Sequence, residues 1–228
     1  DQVLLNKYRI ERVLGSGGLG DVYLAEDMQL GRQVAIKHLK SKWANDEKIL
    51  QRFLQEAKII AALKHQNVVI IYALEQDGDK HYIVEEYAEQ GTVSDLLKEQ
   101  PQLPIEQALD IAIAVCCALE VVHHEGIVHR DIKPSNIILC ESPEGRVVPK
   151  LCDFGIAHVP STEGDRPLTS EGDVLGTLRY MSPEQIMSQP VDGRSDIYSL
   201  GLVLYEMLTA RRVFTGTVAE NYDAQTDK

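Results

Sequence analysis

Eight consecutive residues, His129-Arg130-Asp131-Ile132-Lys133-Pro134-Ser135-Asn136, bring a carboxylate, an ammonium, an imidazole and an amide into one short run. Pro134 has no N–H and disfavours the α region for Lys133, so the run is a loop and not a helix interior. It follows a long apolar helix pattern and precedes the apolar run 137–139, which would hold both of its ends. Converging polar groups on a loop held that firmly suit catalysis, although the same residues alone also read as a charged surface turn. Three further motifs bear on chemistry. Gly15-Ser16-Gly17-Gly18-Leu19-Gly20 has the form G-x-G-x-x-G, in which backbone N–H groups can approach phosphate oxygens with no Cβ in the way. Lys37 ends the apolar strand pattern Val34-Ala35-Ile36-Lys37, where a lone ammonium is costly to bury and calls for a carboxylate; Glu56, on a downstream amphipathic helix pattern, is the candidate. Asp153-Phe154-Gly155 places a carboxylate beside a glycine directly after a strand, an arrangement suited to holding Mg²⁺ on phosphates.

The elements that must position these groups fall into two parts. Residues 8–14, 22–25 and 34–39 read as strands separated by glycine-bearing turns. Asn45 offers an N-cap for a helix with Ile49, Phe53, Ala57 and Ile60 on one face, and residues 68–75 and 81–86 read as two more strands around Asp77-Gly78-Asp79. The first part is therefore a five-stranded antiparallel sheet with one helix. Because a strand and not a helix follows Gly20, a Rossmann dinucleotide site is disfavoured. After a connector at 86–90 the chain turns helical: 93–99, then 104–124, with Gly126 as a stop. A hairpin (137–139 with 148–152), a polar segment at 155–178 expected to be mobile, and a last helix through Leu200, Val203, Leu204, Met207 and Leu208, capped by Ser195 and Asp196, complete the pattern. The division predicted is 1–86 and 87–228.

With 228 residues, 44% of them hydrophobic, the chain can bury a substantial core. A net charge of -12, from 23 basic and 35 acidic residues, argues against a sequence-independent grip on nucleic acid. Cys116, Cys117, Cys140 and Cys152 form no Cys-x-x-Cys pair and read as reduced thiols of a cytoplasmic protein. The apolar run 111–119 ends at Glu120, well short of a membrane span, and no signal peptide opens the sequence.

Taken together and in this order, the motifs resemble the protein kinase family from Tyr8 to about Phe214. That resemblance implies an α+β, bilobal kinase-like fold and an enzyme transferring the γ-phosphoryl group of ATP to protein hydroxyls with Mg²⁺, or alternatively Mn²⁺. It makes Asp131 the catalytic base, and Lys133, followed by Pro134-Ser135, the support for the transferred phosphate found in serine/threonine-specific members. Lys37 holds the α- and β-phosphates with Glu56 as partner, and Asn136 and Asp153 take the metal positions. Leu14, Gly15, Gly17, Gly18, Gly20, Val22, Ala35 and Ile138 surround the nucleotide, while Glu86 and Ala88 meet the adenine edge through backbone groups. His129, Phe154, Ile60 and Ile71 stack into an apolar spine. Thr177 and Ser182-Pro183-Glu184 fall at the substrate-seating end of an activation segment, 153–184. Arg130 before Asp131 goes with activation by phosphorylation, and Thr169 and Ser170 are the candidate acceptors, modified in trans within a homodimer. The wording Tyr-Met-Ser-Pro-Glu-Gln with Ser-Asp-Ile-Tyr-Ser-Leu-Gly resembles bacterial eukaryotic-like members.

Three departures from that pattern stand out. Glu85 occupies the usually apolar or hydroxyl gatekeeper position, and Cys152 directly precedes Asp153. The sequence ends soon after Leu208, which by the resemblance leaves the large lobe short of helices and leaves Glu184 without its usual arginine. The alternative implied by the first and last is a pseudokinase or ATP-binding docking module. A kinase of small molecules is disfavoured, because residues 176–184 resemble a peptide seat.

Overall fold

A computed structural model describes residues 2–16, 20–44, 46–154, 178–216, 220–221 and 224, except the side chains of residues 42, 48, 52 and 56. The chain divides into two compact units. The first takes Asp1–Lys64 and Val69–Tyr87; the second takes His65–Val68 and nearly all of the chain from Ala88.

The first unit is built on an antiparallel sheet of six strands in the order β1-β2-β3-β4-β6-β5. They are β1 (Val3–Leu4), β2 (Tyr8–Ser16), β3 (Gly20–Asp27), β4 (Arg32–Leu39), β5 (Ile71–Asp77) and β6 (Lys80–Glu86). Five of these match the expected strands. The sixth, β1, pairs only two residues with β2, too few to leave a periodic signal. The sheet is rolled: Glu75 on β5 accepts hydrogen bonds from Lys7 Nζ (3.1 Å) and Tyr8 Oη (3.0 Å), although β2 and β5 lie three strands apart. Right-handed strand twist brings such distant strands together. Leu4, Tyr8, Ala25, Val34, Ile36, Tyr82 and Val84 pack one face. Helix α1 (Ser41–Ala44) and helix α2 (Glu47–Ala62) follow β4. The helical spacing of Ile49, Phe53, Ala57 and Ile60 has its expected result, since all four are buried. The expected cap moves by one residue. Asp46, whose Oδ1 accepts from the Ile49 amide at 3.2 Å, does the capping; Asn45 lies outside the described residues.

The second unit is mainly helical. Helix α3 (Val93–Glu99) begins with a capping box between Thr92 and Asp95. Helix α4 (Ile105–His124) buries Ala108, Ile111, Val115, Ala118, Leu119 and Val122, and packs against helix α6 (Gly193–Thr209) and strand β8 (Val147–Leu151). Strand β8 pairs with β7 (Ile137–Glu141), and a four-residue helix, α5 (Pro183–Ile186), precedes α6. The expected cap of α6 is displaced: Asp192 caps it through the Arg194 amide, and Ser195 and Asp196, expected as caps, lie fully buried in its first turn. Their side chains bond to other parts of the unit. Among the described residues, no helix is long and apolar enough to cross a membrane.

Two glycines test how closely these elements are packed. A Cβ on Gly20 would lie 2.2 Å from the His38 carbonyl oxygen, whereas one on Gly201, inside α6, would meet nothing within 4 Å. Gly20→Ala should therefore destabilise the chain by about 2 kcal/mol or more. Gly201→Ala should stabilise it by about 0.5–1 kcal/mol by removing glycine's entropy cost. Urea denaturation of the two variants beside the native chain measures both signs.

Candidate active site

The loop singled out in the sequence ends in a 3-10 turn at Pro134–Asn136, with Lys133 in an extended conformation before the proline. Within it the charged groups converge. Lys133 Nζ lies 2.8 Å from Asp131 Oδ2, with side-chain exposures of 23% and 13%. Asn136 Nδ2 donates to the same oxygen at 2.9 Å and to the Asp131 main-chain carbonyl at 2.8 Å. Both donors hold Oδ2, which restrains the orientation of the carboxylate. Because its amide nitrogen is committed to Asp131, Asn136 presents Oδ1 on the other side, beside Ser135 Oγ at 3.3 Å.

His129, fully buried, lies beneath this constellation. Its Nε2 is 2.9 Å from the Cys152 carbonyl oxygen, which can only accept, so Nε2 carries a proton. Its Nδ1 then accepts from the Asp131 amide at 3.2 Å. One neutral tautomer satisfies both bonds. Burial holds the imidazole pKa below its ordinary value, against the pull of the Asp196 carboxylate and the Cys152 carbonyl. The ring of Phe154 packs against it with centroids 4.9 Å apart.

Arg130 and Asp153 both adopt left-handed backbone, at φ 65° and 61°. Neither is glycine, so each conformation costs on the order of 1 kcal/mol and persists only where neighbours impose it. For Arg130 the neighbour is Asp196, which the sequence assigned to a helix cap. Its buried carboxylate accepts the Arg130 amide at 2.8 Å through Oδ1, and the His129 amide at 2.9 Å and the His123 imidazole at 2.7 Å through Oδ2. A residue-type pattern gives no hint of this, since the partners are 66, 67 and 73 positions away. Its neighbour Ser195 donates to Glu184 on α5. Burial would raise the Glu184 pKa, but the hydrogen bonds from Ser195, its own backbone and Ser182 outweigh it and hold the carboxyl below its usual value. Tyr180, just before α5, donates to the buried Glu206, which also pairs with Arg212 at 2.8 Å. Burial and that carboxylate push the tyrosine pKa well up, so the phenol keeps its proton.

In the first unit, cross-strand pairs put Val22 opposite Lys37, Leu24 opposite Ala35, Lys37 opposite Ile83 and Ala35 opposite Glu85. Paired residues share a face, so Val22, Ala35, Lys37 and the buried Glu85 lie on one side of the sheet. Leu14 and Gly15 end β2, Gly15 opposite Val22, and Ser16 Oγ bonds to Asp21 Oδ1 at 2.5 Å across the base of the glycine loop. Glu86 closes β6, its amide bonding to the Ile70 carbonyl at 2.9 Å. In the second unit, Ala88 accepts from the Gly91 amide, and Ile138 is buried on β7. Gly17, Gly18, Thr169, Ser170 and Thr177 lie outside the described residues, as does the side chain of Glu56. The described residues contain no cluster of three or more His, Cys, Asp or Glu that could hold a metal ion. An amide oxygen from Asn136 and the Asp153 carboxylate are hard donors, and two such ligands are enough for an ion that keeps water and phosphate oxygens around it.

Residues 8–228 match the protein kinase domain family. The chain belongs to the protein kinase family. The kinase is 43% identical over 215 residues to a probable serine/threonine-protein kinase of Clostridium perfringens, covering 94% of this chain and 30% of that protein. It is 42% identical over 213 residues to the serine/threonine-protein kinase PrkC of Bacillus subtilis, covering 93% and 32%. With the serine/threonine-protein kinase PknB of Mycobacterium leprae it shares 40% over 217 residues, covering 93% and 34%. The chain thus spans about a third of the length of the curated relatives it matches.

Two outcomes follow from the buried groups. Asp196→Asn leaves one acceptor for three donors and should lower stability by about 2 kcal/mol or more, read by urea denaturation. The second concerns pH. Burial depresses the pKa of His129, and also that of His38. Below about pH 6.5 the unfolded chain binds protons that the folded chain refuses, so stability falls with pH, at up to about 1.4 kcal/mol per unit for each histidine. Unfolding free energies at pH 7.5 and 5.5 should show the loss; equal values would contradict a neutral buried His129.

Proposed function

We propose that the chain is the catalytic domain of a serine/threonine protein kinase that transfers the γ-phosphoryl group of ATP to hydroxyls of protein substrates. The observation that carries this reading is the clamped Asp131 carboxylate, whose Oδ2 is held by Lys133 and Asn136 together. Phosphoryl transfer needs alignment and charge neutralisation more than covalent assistance, and this loop supplies both. Asp131 orients the substrate hydroxyl and takes its proton. Lys133, already beside that carboxylate, neutralises charge on the phosphoryl oxygens as they move. Lys37 grips the phosphates of ATP, and Val22 and Ala35, on the same face of the sheet, receive its base. Asn136 and Asp153 would hold Mg²⁺, which would supply the positive charge that ATP requires; Mn²⁺ would suit the same oxygen donors. A requirement for ATP places the domain on the cytoplasmic side of the cell.

Regulation by phosphorylation between residues 153 and 184 extends this reading. Arg130 Nε is buried with no hydrogen-bond partner among the described residues, as is Arg179 Nε. A phosphate on Thr169 or Ser170, added in trans by a second copy, would bring an anion with about -1.5 to -2 charge for Arg130. A second reading, nucleotide binding without turnover, has one observation in its favour. Glu85 puts a buried carboxylate on the sheet face that carries Lys37.

Asp131→Asn keeps the size of the side chain and removes its basicity. Incorporation of radiolabelled phosphate into a generic protein substrate should fall by about 10²-fold or more. Incorporation equal to that of the native chain would overturn the enzymatic reading in favour of the binding one. In mass spectra after incubation with ATP, phosphate is expected between residues 153 and 184.

A further inference from the structure

Gln185, the third residue of α5, makes hydrogen bonds in two directions. Its Oε1 accepts from the Ser182 amide at 3.0 Å and from Ser182 Oγ at 3.2 Å, closing the capping box of α5. Its Nε2 donates to the main-chain carbonyl of Arg130 at 2.7 Å. The orientation of the amide is forced, because an amide N–H can only donate and a carbonyl oxygen can only accept. The Arg130 peptide is therefore held from two sides, its N–H by Asp196 Oδ1 at 2.8 Å and its C=O by Gln185. Arg130 is the loop residue in left-handed backbone, and its carbonyl belongs to the peptide that leads into Asp131.

We propose that Gln185 is a positioning residue for phosphoryl transfer. It fixes the peptide plane between Arg130 and Asp131, and so the direction in which the Asp131 carboxylate leaves the backbone. The inference rests on the kinase reading given above and adds to it a physical tie between the helix after the substrate-seating segment and the catalytic loop. Asp196 alone cannot set that plane. It holds the N–H before Cα of residue 130, whereas the plane after that Cα is held at its own two ends, by His129 Nδ1 at the Asp131 N–H (3.2 Å) and, over a shorter distance, by Gln185 at the Arg130 carbonyl (2.7 Å). Because the same side chain caps α5, a shift of Ser182 reaches Asp131 through one amide group.

Two variants remove the donor while keeping the volume. Gln185→Met loses both polar atoms, and Gln185→Glu keeps an acceptor for Ser182 but puts a carboxylate against the Arg130 carbonyl. With ATP and a generic protein substrate, both should lower kcat at least tenfold while KM for ATP changes less than twofold. Independently of activity, amide hydrogen exchange at Arg130 and Asp131, followed by NMR, should quicken at least tenfold in each variant. Amides of Val115 and Leu119 inside α4 should change less than twofold. If one variant fails to fold, the other decides. A native kcat, unchanged exchange at Arg130 and Asp131, or a uniform rise that includes α4 overturns the proposal. Should the native chain itself show no turnover, the kinase reading fails and the exchange measurement alone decides the tie.

Discussion

The second unit depends on one buried carboxylate. Asp196 has no exposed surface and sits at the start of a long apolar helix, a place where an unpaired charge would be untenable. Two main-chain amides and one imidazole make it tenable, and the reverse also holds. Without that acceptor, the amides of His129 and Arg130 would be orphaned beneath the loop, and the left-handed conformation of Arg130 would lose one of its two holds. The helix core, through α4 and α6, supplies the rigidity. The carboxylate passes that rigidity to the loop.

A single direction of hydrogen bonding then runs through the site. The Asp131 amide donates to His129 Nδ1, and His129 Nε2 donates to the Cys152 carbonyl, the residue directly before Asp153. The imidazole thus links the backbone of Asp131 to the backbone just before Asp153, and burial disfavours its charged form, so that each nitrogen has one fixed role. Cys152 is tied in as well, its amide and thiol both reaching the Asn136 carbonyl. Two chain segments with separate sequence motifs are held to each other through main-chain carbonyls.

Long periodic elements were legible in the sequence. Helices α3 and α4 lie within a residue of their expected ends, and all of the periodic apolar positions of α2 are buried. What the sequence hid was short or remote. Strand β1 and helices α1 and α5 span two or four residues, too few for any period to show. The caps failed for a different reason. Asp and Ser near a helix start look alike whether they serve the helix or something else, and at Asp46 and Asp192 the local role won, while Ser195 and Asp196 were taken by partners far along the chain. The meeting of Asp131, Lys133 and Asn136 was readable because all three lie in one loop. The contributions of Asp196 and Gln185 were not, because long-range pairing with main-chain atoms leaves no trace in residue types.

The attachment of the loop through main-chain atoms has an evolutionary side. At residue 130 the N–H and the C=O are both engaged, and neither bond involves the guanidinium. The geometry around Asp131 thus needs no particular functional group at that position, only a side chain that tolerates left-handed backbone. A lineage can exchange the arginine for another residue that accepts this backbone without having to rebuild the loop, because what holds residue 130 is its main chain.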